Sequence, residues 1–152
     1  MCGISGMFGP DDPAVVTTML ETLRHRGPDD GFVMAGDGFA IGTRRLSIVD
    51  VAGGRQPLTN EDGTVTAAQN GELYNFSETR DALVKRGHRL ATRTDTEILP
   101  HLWEEYGEAL PQHIDGMFAV AVWDSRRQMG LLARDRMGKK PLYYWQRGDT
   151  LY

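Results

Sequence analysis

The sequence of 152 residues predicts a single domain of the α+β class. Three stretches combine a helix-start residue with apolar side chains at helical spacing. Shorter apolar runs between turn-forming Gly, Asn and Asp residues predict strands, which dominate the chain after Met117. A chain of this length can bury a sizeable core.

The three predicted helices are each marked at their first residue. Asp12 precedes Pro13, which is typical of an N-cap followed by the first helical position. The other two starts resemble capping boxes, in which a polar residue is followed three positions later by Glu78 or Glu97. We expect Pro100 to remove one backbone hydrogen bond inside the third helix and to kink it. The predicted helices run from Asp12, Asn75 and Thr94 to Arg24, Gly87 and Tyr106 respectively.

Seven strands are predicted, two of which form a hairpin around Gly36-Asp37-Gly38. The segment 117–123 is almost entirely apolar, so we expect it to be buried on both faces of its sheet. Tyr143, Tyr144 and Trp145 are expected in the core, and residues 147–150 indicate a turn into a further strand. The predicted strands are 2–8, 31–35, 39–46, 64–69, 117–123, 129–134 and 142–145.

Composition excludes several classes of function. A net charge of −4 with both signs interspersed gives no support for binding nucleic acid or an anionic membrane. The sequence has no apolar run long enough to cross a bilayer and no signal peptide, so we expect a cytoplasmic protein. Its one cysteine excludes an internal disulfide, and its four histidines lack metal-ligand spacing, so no metal site is expected.

The one cysteine is the second residue, and that position points to chemistry. If Met1 is removed, the thiol and a free α-amino group belong to the same residue, so the amine can take the proton while the sulfur attacks. With Met1 retained, the amine is acylated and this arrangement is lost. The alternative is that Cys2 is a small buried apolar residue in an N-terminal strand.

Several polar residues could supply what such a nucleophile needs. Asn70 and the N–H of Gly71 could form a two-donor oxyanion hole. Arg45 has the planar fork that suits a carboxylate, and with Asp95 it could hold the two charged ends of an amino acid. Each residue also has a structural alternative: a surface ion pair for Arg45, a helix cap for Asp95 and a hairpin turn for Asn70-Gly71.

Seven short motifs stand out along the chain: MCGI at 1–4, RHRGPD at 24–29, RLSIVD at 45–50, NGELYN at 70–75, TDTE at 94–97, GMFA at 116–119 and RDRMGKKPLYY at 134–144. In this order they resemble the glutaminase domain of asparagine synthetase-type amidotransferases, which are class II glutamine amidotransferases. The start MCGI is shared with other class II amidotransferases, whereas RHRGPD and RLSIVD point to the asparagine synthetase branch. The resemblance implies an N-terminal-nucleophile hydrolase sandwich, in which two mainly antiparallel sheets are stacked between helices in four αββα layers.

The resemblance implies roles for particular residues. Cys2 matches the nucleophile and its amino group the base, while Asn70 and Gly71 match the oxyanion hole. Arg45 matches the residue that binds the α-carboxylate of glutamine, and Asp95 the residue that binds its α-amino group. The remaining matches are Glu72 and the backbone of Ile48 and Val49 in the same pocket, and Arg26 and Asn75 as polar residues close to the nucleophile.

The resemblance also implies partners and cofactors. Glutamine is the expected substrate, a synthetase domain or subunit would receive the ammonia, and a homodimer is a further candidate. The glutaminase step needs no cofactor. ATP and Mg²⁺ are expected only in a synthetase domain, whose Ser-Gly-Gly-rich pyrophosphate loop does not occur in this sequence. Family members continue past Tyr152 with further strands, so we expect a domain truncated at its C-terminal end.

Two kinds of function stay open at this point. One is an active glutaminase that supplies ammonia for ATP-dependent amide formation, as in asparagine synthesis or with an acceptor other than aspartate. The other is a non-catalytic remnant or a regulatory module that binds glutamine or a partner. The intact Cys2, Arg45, Asn70, Gly71 and Asp95 favour the first, and the early end of the chain favours the second.

Overall fold

The computed structural model describes residues 2–10, 12–45 and 55–152, and within these ranges it contains nine strands and three α-helices. No helix in these ranges is long and apolar enough to span a membrane. The strands are β1 (Gly3–Phe8), β2 (Asp30–Gly36), β3 (Phe39–Arg45), β4 (Leu58–Thr59), β5 (Val65–Leu73), β6 (Gly116–Asp124), β7 (Met129–Arg134), β8 (Gln146–Arg147) and β9 (Thr150–Leu151). The helices are α1 (Ala14–Thr22), α2 (Phe76–Lys85) and α3 (Ile98–Tyr106), with 3₁₀ turns at Asp95–Glu97 and Gly107–Gln112.

The strands form two antiparallel sheets stacked face to face. The first sheet has the order β2-β3-β1-β9-β8 and the second the order β4-β5-β6-β7. Between them lies an apolar layer in which Phe39 and Ile41 of the first sheet meet Ala68, Ala121 and Trp123 of the second. The Phe39 and Trp123 rings stack with centroids 5.8 Å apart. This layer fixes the distance between the sheets and therefore the width of any site that opens between them.

Helices cover the outer face of each sheet. Val16 of α1 packs on Met7 and Ala40, which point away from the second sheet. The larger core lies on the other side, where α2 and α3 pack on β5 and β6, and Trp103 of α3 is almost completely buried in it. The layers therefore follow the order α1, first sheet, second sheet, and α2 with α3. This is the predicted αββα arrangement.

The hairpin and the central strand follow the sequence expectations. The turn at Gly36-Asp37-Gly38 joins β2 to β3, with Gly38 in the left-handed region at φ +74°. All side chains of Phe118–Asp124 in β6 are buried, because β6 lies between β5 and β7 and both of its faces are covered. Helix α1 begins close to its predicted start, where Oδ1 of Asp12 accepts a hydrogen bond from the N–H of Ala14 at 2.9 Å.

Asn70 and Gly71 do not form the hairpin turn that their dipeptide suggests. They lie inside β5, where they pair with Ala119 and Phe118 of β6. The ladder with β6 continues to Leu73, so pairing with a distant strand outweighs the local turn preference.

The predicted helix starts need two corrections. Asn75 precedes α2 without a side-chain capping bond, because its amide is used elsewhere: Nδ2 donates to the carbonyl of His113 and Oδ1 accepts from the N–H of Asp115. Thr94 caps the following 3₁₀ turn, and α3 begins only at Ile98. Pro100 therefore lies in the first turn of α3, where a missing N–H costs no helical hydrogen bond, and the predicted interior position was wrong.

The last predicted strand is also wrong in position. Residues 142–145 have no regular structure, and Tyr143, Tyr144 and Trp145 are 87%, 74% and 59% exposed rather than in the core. The hairpin begins only at Trp145, which exchanges two backbone hydrogen bonds with Tyr152 around the β8–β9 turn.

Candidate active site

A cavity of about 420 Å³ opens between the sheets directly beside the start of β1. Its wall begins at Gly3, the residue bonded to the half-buried Cys2. The cavity is mainly apolar, and the predicted site residues Arg26 and Asn70 are among its few polar lining groups. The other lining residues are Ile4, Ser5, Gly6, Met7, Phe8, Met19, Thr22, Leu23, Ala121, Leu132, Pro141, Leu142, Tyr143, Leu151 and Tyr152.

Asn70 carries hydrogen-bonding capacity that the protein does not use. Its side chain is only 6% exposed, and its Oδ1 atom has no hydrogen-bond partner within the described part of the chain. A buried polar atom without a partner costs free energy, and such atoms cluster at functional sites. The amide lies on the cavity wall, where a small polar ligand could satisfy it.

Gly71 allows the strand that carries Asn70 to approach β6 closely. A Cβ atom at this position would lie 2.1 Å from the carbonyl oxygen of Met117 and 2.7 Å from Cα of Phe118. Both are backbone atoms, so the clash could be relieved only by moving a strand. The glycine is therefore required by packing, whatever its backbone N–H does for a ligand.

Asp95 is held against the same strand. Its Oδ2 atom accepts hydrogen bonds from Nε2 of Gln69 at 2.7 Å and from the N–H of Leu73 at 2.9 Å, and Oδ1 accepts one from the Thr94 hydroxyl at 3.3 Å. The two Oδ2 partners lie on either side of the Asn70-Gly71 pair along β5. The carboxylate is therefore fixed against β5 at Gln69 and Leu73, although more than twenty residues separate Asp95 from them in the sequence.

Arg45 lies at the same end of the first sheet as Cys2. Gly3 of β1 pairs with Arg44 of β3, so the next residues along the two strands are Cys2 and Arg45. Arg45 is buried, and its carbonyl accepts a hydrogen bond from the N–H of Asp29 at 3.2 Å. The nearby Gly27 packs so tightly on β3 that a Cβ there would lie 2.3 Å from the carbonyl carbon of Arg44. The RHRGPD segment is thereby pressed against the strand that carries Arg45.

The other predicted site residues fall into three groups. Glu72 is exposed on β5 opposite Met117. Asn75 does not reach the cavity wall, because its amide bridges the segment before β6. Ile48 and Val49 lie outside the described residues.

Two supporting residues were missed by sequence reasoning. Gln69 is buried and orients Asp95, yet an amide in a strand next to Asn-Gly gives no distinctive signal. Asp135 is buried and accepts hydrogen bonds from the N–H groups of Phe118, Lys139 and Lys140, which ties the loop after β7 to β6. Burial raises the pKa of Asp135, but these backbone donors outweigh it and hold the pKa below its ordinary value of 3.8. The Arg-Asp-Arg-Met-Gly motif was a usable signal for this residue.

Comparisons with known proteins show the family to which the chain belongs. A family model described as a glutamine amidotransferase domain matches residues 1–152. The chain belongs to this family.

The predicted resemblance of the amidotransferase domain to asparagine synthetases is also confirmed. The chain is 40% identical over 157 residues to asparagine synthetase [glutamine-hydrolyzing] 3 of Bacillus subtilis, and the match covers 99% of this chain and 26% of that relative. It is 41% identical over 149 residues to the asparagine synthetase of Sandersonia aurantiaca, covering 94% of the chain and 28% of that relative. The amidotransferase domain thus spans about a quarter of the length of these relatives.

The fold is shared with solved amidotransferase structures. Glutamine phosphoribosylpyrophosphate amidotransferase from B. subtilis, complexed with ADP and GMP, aligns with a TM-score of 0.79 at 21% identity over 99% of this chain and 41% of that chain. A structure described as the allosteric regulatory enzyme of purine biosynthesis aligns with a TM-score of 0.76 at 23% identity, with the same coverage of both chains. The N-terminal-nucleophile hydrolase sandwich is therefore confirmed as the fold class.

Proposed function

We propose that this amidotransferase domain hydrolyses the side-chain amide of glutamine through a thioester on Cys2. One observation carries the proposal: Asn70, the predicted oxyanion donor, lines a cavity whose wall starts at the residue bonded to Cys2. Asn70 lies on β5 of the second sheet, whereas Cys2 directly precedes β1 of the first sheet. The whole segment between β1 and β5 separates the two residues in the sequence.

The chemistry begins at the N-terminus. Once Met1 has been removed, the α-amino group of Cys2 takes the thiol proton, and the sulfur attacks the amide carbon of glutamine. The negative charge that develops on the amide oxygen is stabilised by Nδ2 of Asn70 and the N–H of Gly71. The ammonium group then returns its proton to the departing nitrogen, so that ammonia leaves and a γ-glutamyl thioester forms. Water, deprotonated by the same amine, adds to the thioester and releases glutamate and the free thiol.

The ends of the substrate have charged partners in the same proposal. Arg45 binds the α-carboxylate in bidentate fashion, and Asp95 binds the α-ammonium group. Two observations support these roles: Arg45 lies at the Cys2 end of the first sheet, and Asp95 is fixed on β5 at Gln69 and Leu73. The carboxylate of Asp95 is held by the fold before substrate arrives, which lowers the cost of binding. Glu72, Arg26 and the backbone of Ile48 and Val49 complete the proposed pocket.

Partners and cofactors follow from the relatives. The ammonia would pass to an ATP-dependent synthetase domain or subunit that forms an amide, as the names of the asparagine synthetase relatives suggest. The hydrolytic step itself uses only the amine, the thiol and backbone or side-chain donors, so ATP and Mg²⁺ would serve the synthetase alone. Aspartate is the acceptor we favour.

A removable leader tests the role of the free amine directly. The chain would be produced with a protease site placed so that cleavage leaves Cys2 as the first residue, and ammonia release from glutamine would be followed before and after cleavage. We expect activity to appear only after cleavage, and Cys2→Ala with the same leader to stay inactive throughout. Equal activity before cleavage would rule out the amine as base, and ammonia release by Cys2→Ala would rule out the thioester.

A further inference from the structure

A cluster of histidine and glutamate side chains lies outside the cavity, beside α3. Glu61 comes from the turn between β4 and β5, His88 from the segment after α2, and His101 and Glu104 from successive turns of α3. One ligand atom from each of the four residues lies within 4.8 Å of the other three. No spacing in the sequence joins these residues, because the fold brings three separate segments together, and the expectation of no metal site rested on that missing spacing.

The separations match the edges of a small tetrahedron. Nδ1 of His101 lies 3.2 Å from Nδ1 of His88, 3.4 Å from Oε2 of Glu61 and 3.5 Å from Oε2 of Glu104. Nδ1 of His88 lies 3.6 Å from the same Glu104 oxygen. Zinc bonds of about 2.0–2.2 Å to nitrogen and oxygen in tetrahedral geometry require ligand atoms about 3.4 Å apart.

Each carboxylate is oriented by its second oxygen. Oε1 of Glu61 accepts a hydrogen bond from the N–H of Arg89 at 2.6 Å, and Oε1 of Glu104 accepts one from Nδ2 of Asn60 at 2.9 Å. Oε2 of Glu104 then faces both histidines, whereas Oε2 of Glu61 faces His101 and its Oε1 lies 3.8 Å from Nδ1 of His88. Hydrogen bonds to the distal atoms of ligands are what hold metal-binding side chains in place in metalloproteins.

The two imidazoles are also held in place. A hydrogen-bond partner orients His88, and burial holds His101. Nε2 of His88 lies 2.9 Å from Oε1 of Glu105, a carboxylate that can only accept, so Nε2 carries the proton and a neutral His88 presents a bare lone pair at Nδ1. The His101 side chain is completely buried.

The centre of the cluster has more hydrogen-bond acceptors than donors. The lone pair of His88 and the Oε2 atoms of Glu61 and Glu104 are acceptors, and His101 Nδ1 can donate at most one hydrogen bond among them. A divalent cation would be attracted by all four groups at once.

We propose that Glu61, His88, His101 and Glu104 form a zinc site with two nitrogen and two oxygen ligands. The protein supplies all four ligands, which is typical of a structural rather than a catalytic zinc. The metal would join the β4–β5 turn to the segment after α2 and to α3. Helix α3 follows directly on the 3₁₀ turn that carries Asp95, so the zinc would stabilise one wall of the proposed substrate site. This inference does not depend on the glutaminase proposal.

Zinc binding tests the site without an activity assay. The whole chain would carry Cys2→Ala, so that the thiol cannot bind zinc, and would be stripped with a chelator before titration with zinc chloride by calorimetry. We expect one zinc per chain, X-ray absorption showing only nitrogen and oxygen neighbours at about 2.0–2.2 Å, and a rise in the midpoint of thermal unfolding of about 5–10 °C at a hundredfold excess over the dissociation constant.

Matched substitutions then decide whether the bound zinc occupies this cluster. His88→Gln and Glu104→Gln should each weaken zinc binding by at least ~10–100-fold. His25→Gln and Glu108→Gln, at exposed positions away from the cluster, should leave it unchanged. Circular dichroism of the metal-free variants shows which of them fold. No zinc-dependent rise in the unfolding midpoint of the parent chain, or equal zinc affinity in the parent and in folded His88→Gln, would overturn the proposal and leave a protonated histidine network in its place.

Discussion

Replacing Gly71 by alanine tests how the site depends on the close approach of β5 and β6. The added Cβ would lie 2.1 Å from the carbonyl oxygen of Met117, and an ordinary contact of 3.4 Å requires the strands to separate locally by about 1.3 Å. Overpacking against backbone of this kind costs ~3 kcal/mol of unfolding free energy. Because Asn70 is the preceding residue, a shift of this size should also lower kcat for ammonia release by ~100-fold.

Two assays separate the structural and kinetic effects of Gly71→Ala. Urea unfolding gives the change in unfolding free energy at constant m-value, and ammonia release from glutamine gives kcat. Gly63→Ala is the control, because no atom lies within 4 Å of its added Cβ. It should cost only ~1 kcal/mol for its left-handed backbone and leave kcat unchanged. If Gly71→Ala matched the wild type in both assays, the register and spacing of β5 and β6 described above would be wrong.

Three further substitutions give distinct results. Asn70→Ala should reduce kcat by ~10²–10³-fold with little change in KM, and an unchanged kcat in stopped or steady-state assays would remove Asn70 from the oxyanion hole. Asp95→Asn should mainly raise KM for glutamine, by ~10–100-fold, because it removes the charge that faces the α-ammonium group; a pure loss of folded protein would contradict this role. Asp135→Asn should cost ~2 kcal/mol at pH 7 in chemical unfolding, since three backbone N–H groups lose a charged acceptor. Because the folded-state pKa of Asp135 is lowered, the stability that this carboxylate contributes is fully present above pH 3.8, its ordinary pKa. That stability is lost as the pH falls through the lowered pKa. A stability difference between wild type and variant that does not change with pH would refute this.

Local signals predicted those elements whose partners are close in sequence. Gly36-Asp37-Gly38 set the β2–β3 hairpin, and the continuous apolar run in β6 indicated burial on both faces, because each signal is the direct cause of the structure it predicts. The site was predicted through motif resemblance rather than geometry. Strand pairing places Arg45 opposite Cys2, and a long-range contact holds Asp95 against β5, and no local pattern contains either placement.

The errors arose where a distant partner decides the local structure. Asn70-Gly71 reads as a turn, but β6 pairs along the whole of β5 and keeps the dipeptide extended. Asn75 has the composition of a cap, but His113 and Asp115 take its amide. His88 and His101 appear unrelated in sequence, and only the packing of the segment after α2 on α3 places their Nδ1 atoms 3.2 Å apart. In each case a tertiary contact outweighs a local preference.

The intact mass of the purified chain, before and after incubation with a glutamine-analogue diazoketone, is the most direct test of the central claim. Such a reagent alkylates a nucleophile that recognises the amino-acid part of glutamine. We predict a mass that lacks Met1 and gains one adduct, located on Cys2 by peptide mapping, with excess glutamine protecting against it. A chain that retains Met1, or one that lacks Met1 and gains no adduct, would contradict the assignment of Cys2 as the nucleophile of a glutaminase.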